Sequence, residues 1–223
     1  MEFRSNEFQQ SSAITLLTTG STPMHLPHIV NYLVRRNIYS ITLILLTLVT
    51  LIAAIIFTFR FELTYWWHRD TIDRSAERYY VHPHLLASVI WQETHFNPAQ
   101  KGKAGEIGLM QIMPGSAMEW AKAENIKHFQ LSTLVNPTTN TMAGAWYLGR
   151  ALSRWKNKNN AIPYALAEYN AGASNALRWD RYAKTSNVEF LNAITYPSTR
   201  RYIIEISRRY HNFGKPWRNW DIP

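Results

Sequence analysis

The chain of 223 residues contains no cysteine. Structural disulfides, thiolate zinc sites, iron–sulfur clusters, a cysteine nucleophile and a lipid-modified N-terminal cysteine are therefore excluded. There is no internal repeat, no low-complexity run and no stretch that alternates apolar and polar residues as a half-buried strand does. No His, Asp and Glu residues cluster at metal-ligand spacing; His82 and His84, two apart at a helix start, read as solvated. Acidic residues are few, 15 against 24 Lys and Arg, for a formal charge of +9. Such a surplus suits anionic partners: nucleic acid, phospholipid headgroups or an anionic cell-surface polymer. It is uneven, with net +1 on residues 1–65 (4 basic, 3 acidic) and net +8 on residues 66–223 (20 basic, 12 acidic).

What is present is apolar and aromatic. Apolar residues make up 46% of the chain, with 9 Trp, 12 Tyr and 9 Phe. That is too apolar for a disordered chain, and the length suits one domain with a real core. Residues 38–59 read IYSITLILLTLVTLIAAIIFTF, without charge, Pro or Gly. At ~1.5 Å per residue this run crosses a hydrocarbon core of ~30 Å. A buried core helix would carry a polar face. A cleaved signal peptide would have a shorter apolar stretch and a small-residue cleavage site, whereas this run ends among Phe57, Phe59 and Phe61. An uncleaved anchor is the preferred reading. Arg35 and Arg36 against Arg60 bias the N-terminus toward the cytoplasm by one charge, and Tyr65, Trp66 and Trp67 suit the headgroup level.

The expected order is a mobile tail over residues 1–37, the span 38–59, a linker 60–69, a helical domain 70–214 and a tail 215–223. Met24 is an alternative start. Within the domain, Pro83 opens a helix through HPHLLASVIWQET that ends before Asn97-Pro98. Residues 99–109, with Gly102, Gly105 and Gly108, read as a loop. Further helices are expected from Pro114 to about Glu124, over 138–156, over 161–170 with Gly172 as cap, and from Ser198 to Phe213. Trp91, Trp120, Trp146, Trp155 and Trp179 fall in helical segments and read as core rather than sugar platforms. The fold class is mainly α.

One carboxylate stands out. Glu93 lies in the last turn of the Pro83 helix, three, four and seven residues after Ile90, Val89 and Leu86. It shares their apolar face, so desolvation disfavours its anion. The negative end of the helix dipole acts in the same direction. A raised pKa suits a general acid near neutral pH. The plain alternative is a glutamate fraying into solvent at a helix end.

The surroundings of Glu93 form a set of motifs. Glu93-Thr94-His95-Phe96-Asn97-Pro98 is followed by Gly108-Leu109-Met110-Gln111-Ile112-Met113-Pro114, by Ala167-Glu168-Tyr169-Asn170-Ala171-Gly172, and by Thr199-Arg200-Arg201-Tyr202. In this order and spacing, over about residues 70–214, the chain resembles the lytic murein transglycosylases with the soluble-type, lysozyme-like (goose-type) catalytic domain. The resemblance implies cleavage of the β-1,4 bond between N-acetylmuramic acid and N-acetylglucosamine in peptidoglycan glycan strands. It implies that Glu93 first protonates the glycosidic oxygen, then takes the proton from the C6 hydroxyl, which closes onto C1 as a 1,6-anhydro sugar. A tethered internal hydroxyl makes the second carboxylate of most glycosidases unnecessary.

By the same resemblance Gly108, Met110 and Gln111 form a groove wall, with Met110 and Gln111 against sugar or acetamide and Gly108 allowing close backbone approach. Tyr169 and Asn170 are expected near Glu93, with the Tyr169 hydroxyl bonding substrate or carboxylate. Thr94 and Tyr202 complete the substrate-binding set. Core packing is the plain alternative for Met110 and Tyr169. Glu168 points about 100° from Tyr169 on a helix and reads as a solvated or structural carboxylate.

The chain departs from the family pattern in places. Thr94 replaces the usual Ser; it keeps the hydroxyl, for the substrate acetamide or a water, but has a stiffer χ1. Tyr196-Pro197-Ser198 stands where the family often has an acid. Lys101 and Lys103 make the glycine-rich loop basic, for acidic stem peptides or simply for solvent.

No metal or cofactor is implied. Other readings stay open: a hydrolase on the same fold, with Glu106 or Glu168 as second carboxylate, or a cell-wall docking component of an envelope-spanning machine. Nucleic-acid binding has only the charge in its favour and no motif. A peptidoglycan substrate places the catalytic domain on the periplasmic or outer side of a single-pass inner-membrane anchor.

Overall fold

The computed structural model describes residues 26–183 and 186–213. The expected tail up to residue 25, Met24 and the tail 215–223 lie outside the described residues. The chain divides into two compact units, Met1–Thr58 and Phe59–Pro223. Helix α1 spans Leu26–Arg78 and contributes to both.

In the first unit α1 is apolar on all sides from residue 38 onward. Its large side chains from Val30 to Phe57 are exposed. It is the one helix among the described residues long and apolar enough to cross a membrane. Its five hydroxyls from residue 40 onward all bond back to the helix. Ser40 donates to the Arg36 carbonyl, Thr42 to Tyr39, Thr47 to Ile44, Thr50 to Thr47 and Thr58 to Ala54, at 2.8–3.0 Å. Hydroxyls satisfied by their own helix need no water, which fits an apolar medium.

The second unit is helical, with no strand among the described residues. After the remainder of α1 come α2 (Pro83–Thr94), α3 (Pro114–Ala123), a 3-10 turn (Leu131–Val135), α4 (Pro137–Arg154), α5 (Ile162–Ala171), α6 (Ala173–Tyr182), α7 (Asn187–Ala193) and α8 (Pro197–Asn212). Five of these helices open with Pro in the first turn, where its missing N–H costs nothing. Asn136 caps α4 by accepting the N–H groups of Thr138 and Thr139 at 3.0 and 3.1 Å. Gly172, at φ +85°, ends α5, a conformation that favours glycine.

Helix α5 is the centre of the unit. It packs against α4, α6, α7 and α8, and its Tyr164, Ala165, Leu166 and Ala167 are buried. Small side chains on α5 let its neighbours close around it. Helix α2 packs on α8 and buries Leu86, Val89 and Ile90 completely, each worth about 1.5–3 kcal/mol of transfer free energy.

Several points differ from expectation. Residues 26–37, expected within the mobile tail, form the start of α1, and α6 is not among the expected helices. Residues 60–69 are not a linker: they are helical, and Phe61 and Tyr65 are buried in the core. A segment that supplies core side chains cannot act as a flexible tether, and the compact unit starts at Phe59 rather than residue 70. Tyr65 is accordingly unavailable at a headgroup level. The capping-box helix α7, with Ser186 and Glu189 bonding reciprocally, and the 3-10 turn also go beyond the expected elements.

Candidate active site

Glu93 ends α2. The next two residues, His95 and Phe96, both take positive φ (+51° and +66°), so the chain turns sharply away and leaves Glu93 at the lip of a loop, residues 97–113. Phe96 anchors that turn in an aromatic group with Phe61 and Trp91 and is stacked on His68. The loop folds back on itself. Ile107 and Ile112 exchange backbone bonds at 3.1 and 3.0 Å, and Gly108 accepts from Gln111 at 3.0 Å.

Glu93 is half-buried. Its Oε1 accepts a hydrogen bond from the Tyr202 hydroxyl of α8 at 2.7 Å. Among the described residues no cation stands within ion-pair distance of it. Burial pushes its pKa up to about 7; the Tyr202 bond opposes that and the Glu106 carboxylate adds to it. Burial, together with the Glu93 charge, also pushes the Tyr202 and Tyr169 hydroxyls well above their ordinary range, so both stay protonated donors.

The loop between α2 and α3 is held by side chains from three helices. The Thr94 hydroxyl donates to the Leu109 carbonyl at 2.9 Å. The Tyr169 hydroxyl of α5 donates to the Met110 carbonyl at 2.9 Å. Asn140 of α4, fully buried, accepts from the Met110 N–H at 2.8 Å and donates to the carbonyls of Ile107 and Leu134 at 2.7 and 2.9 Å. Gly108, at φ +74°, lies so close that a Cβ there would stand 2.3 Å from Asn140 Nδ2. On the same helix Gly144 makes room for the Met110 thioether, which an added Cβ would meet at 2.2 Å.

These bonds show where the expected site residues are engaged. Thr94 and Met110 are buried, and the Thr94 and Tyr169 hydroxyls are committed to loop carbonyls. Gly108 permits close approach by Asn140. Gln111, at φ +48°, commits its side-chain N–H groups to Gly108 and Gln100 at 3.0 and 3.3 Å. The phenol that reaches Glu93 is Tyr202, not Tyr169. Asn170 is exposed, and its Oδ1 accepts from the Thr199 hydroxyl at 2.7 Å. Arg200 donates to the Ile194 carbonyl at 2.7 Å. The Thr-Arg-x-Tyr motif thus fastens three things at once: Asn170, the segment after α7, and Glu93.

Asn140 escaped the sequence reading. Its signal was available: it lies on the stripe of Gly144, Leu148 and Ala151, where a buried amide demands partners. Glu168 is a structural carboxylate. It is buried, accepts from Trp155 Nε1 at 2.9 Å, and pairs with Arg154 Nε at 3.2 Å.

The model of the family described as transglycosylase SLT domain matches residues 70–191, more than half of the chain. The chain belongs to this family. A soluble lytic murein transglycosylase of Salmonella typhimurium is 31% identical over 147 residues, covering 65% of this chain and 22% of that protein. A membrane-bound lytic murein transglycosylase E of Buchnera aphidicola is 28% identical, covering 65% of this chain and 67% of that protein. Among solved structures, the 70 kDa soluble lytic transglycosylase of Escherichia coli superposes with a TM-score of 0.59 at 27% identity, over 66% of this chain and 24% of that one. An inactive mutant of the lytic transglycosylase Slt of Pseudomonas aeruginosa gives 0.57 at 26%, with the same coverage. The chain therefore spans less than a quarter of these large soluble relatives. The family match and the fold likeness bear out the lysozyme-like, mainly α expectation.

Proposed function

We propose that this chain is a membrane-anchored peptidoglycan lytic transglycosylase, with Glu93 as its acid and then its base. The observation that carries the reading is a half-buried carboxyl group that, among the described residues, is hydrogen-bonded by a neutral phenol, Tyr202 at 2.7 Å, and by no cation. With its pKa at about 7, Glu93 is a substantial donor at neutral pH and, once ionised, a competent acceptor.

In the proposed sequence Glu93 gives its proton to the glycosidic oxygen between N-acetylmuramic acid and N-acetylglucosamine. The C–O bond to the leaving sugar breaks as positive charge builds at C1. The ionised Glu93, steadied by the Tyr202 O–H, takes the proton of the C6 hydroxyl, and that oxygen bonds C1. Glu93 ends protonated, as it began. Thr94, Asn140 and Tyr169 hold the wall loop in place, and Gly108, Met110 and Gln111 contribute that wall. Asn170, exposed at the end of α5, is left to contact the glycan.

Residues 38–59 are proposed as a single inner-membrane span, supported by an all-apolar surface and self-bonded hydroxyls. The second unit then faces the periplasm or cell exterior, where the glycan is. A hydrolytic outcome has one observation in its favour, the Glu106 carboxylate whose charge acts on Glu93.

Mass spectrometry of products from purified peptidoglycan incubated with the full chain in detergent, with Glu93→Gln in parallel, separates these readings. Products lighter by one water than reducing-end sugars, absent with the variant, are expected. Reducing ends would make the chain a hydrolase. Absence of products from both proteins would remove the enzymatic reading.

A further inference from the structure

We propose that the outward side of α1 between Phe59 and Trp67 is a bilayer-contact surface of the second unit, seated among lipid headgroups. The inference rests on the anchoring reading and extends it: the catalytic unit itself touches the membrane and is not merely tethered to it.

Residues three and four apart share one side of a helix. Phe59, Leu63, Trp66 and Trp67 do so, and they are 48%, 54%, 60% and 87% exposed. The opposite side of the same stretch, with Phe61 and Tyr65, and further on Ile72 and Ala76, is buried in the core. The exposed group is therefore not part of the core. Two adjacent indoles beside a leucine and a phenylalanine make an apolar patch of the kind that marks an interaction site.

Arg60, exposed, and Glu62, half-buried, flank this patch, and the outward side loses its large apolar side chains within one turn. Beyond Trp67 it carries Asp70, Arg74 and Glu77, all charged and exposed. The inward side stays buried throughout, with Ile72, Ser75 and Ala76 following Phe61 and Tyr65. Core packing thus does not dictate the change, whereas a lipid–water boundary crossing the helix between Trp67 and Asp70 does. Arg69 sits at that boundary. Its guanidinium lies 4.7 Å over the Trp66 ring and pairs with Asp73 at 3.2 Å. It covers an indole while keeping its charge toward the polar end.

The occupant is the bilayer rather than another protein's helix. Phe59 is the last residue of the apolar run 38–59, so the patch continues a lipid-compatible surface in sequence. Tryptophan prefers the membrane–water interface, where its ring is apolar and its N–H finds headgroup acceptors.

The absence of cysteine gives a clean test. Leu63→Cys, Trp67→Cys, Leu48→Cys and Tyr182→Cys are each made in the full chain, spin-labelled and reconstituted into vesicles of phosphatidylethanolamine and phosphatidylglycerol. Tyr182, exposed on α6, is the aqueous reference. The label at 48 is expected in the hydrocarbon. Labels at 63 and 67 are expected at headgroup depth, shielded several-fold from a water-soluble relaxation agent relative to 182. If 63 and 67 match 182 while 48 stays in lipid, the contact surface is refuted and the anchor survives. If 48 is also in water, the anchoring reading fails with it. Shielding of 63 and 67 that appears only in native membranes, and not in pure lipid, overturns the lipid assignment in favour of a protein partner.

Discussion

The ends of α2 and α5 each carry a glutamate out of full contact with water, and only one of them is suited to acid catalysis. Glu168 is buried between Trp155 and Arg154, so its charge is answered by a guanidinium and an indole N–H. Glu93 is less buried, yet its partner is a neutral phenol and its nearest charged influence is another carboxylate, Glu106. Burial is common to both. What separates them is whether the surroundings favour the anion. A desolvated carboxyl group without a cation holds its proton to neutral pH, whereas a desolvated carboxylate beside arginine serves the fold.

The sharpest way to break this comparison is to remove both charges in turn. Glu93→Gln should lower turnover of peptidoglycan by about 10³-fold or more, the scale of lost general acid catalysis, without loss of fold. Product assays alongside circular dichroism check it. Glu168→Leu should do the reverse. It strands the Trp155 N–H and unpairs Arg154, costing about 2–4 kcal/mol in denaturant unfolding, while activity per folded molecule persists. Equal loss of activity in both variants would dissolve the distinction.

The linkage to pH sharpens it further. The folded pKa of Glu93, about 7, exceeds its ordinary 4.5. The folded state therefore binds more protons than the unfolded one between those values, and Glu93 subtracts stability progressively as pH rises through that window. Glu93→Gln should be more stable than the parent at pH 8 by about 1–2 kcal/mol, after allowance for partial exposure, and indistinguishable below about pH 4. Paired melts at the two pH values test this.

Smaller effects come from the groups that tune Glu93. The parent rate should fall as pH rises through about 7, where the acid loses its proton. Tyr202→Phe removes a bond that favours the anion, so that alkaline limb should move up in pH. Glu106→Gln removes a like charge and should move it down, by less. Rate–pH profiles of the two variants that shift the same way would refute the assignment of Tyr202 and Glu106 as opposing influences.

The legible part of this protein was local. Each proline-opened helix, the Gly172 cap and the apolar face that ends at Glu93 follow from spacing alone. So does the long apolar helix, because 22 uncharged residues without Pro or Gly leave few alternatives. The linker expectation over 60–69 failed because a helix with one buried side looks, in sequence, much like the aromatic flank of a membrane segment. Tyr65 and Trp66 are neighbours in the chain and face opposite environments.

The site was legible in membership but not in wiring. Glu93, Tyr202, Tyr169 and Asn170 were all expected there, yet which phenol bonds the carboxylate depends on where α8 crosses α2, 109 residues away. Asn140 was missed for the same reason, since its three bonds reach loop and turn segments outside its helix.

By itself the sequence determined the helices, the long apolar run and a carboxyl group on an apolar helix end, because those rest on composition, periodicity and neighbours within a turn. Only the tertiary structure decided that Tyr202 holds Glu93, that Arg154 and Trp155 neutralise Glu168, and that Asn140, Thr94 and Tyr169 clamp the loop between α2 and α3. Hydrogen bonds and desolvation depend on distances of about 3 Å between distant parts of the chain, and those distances exist only once the helices have packed.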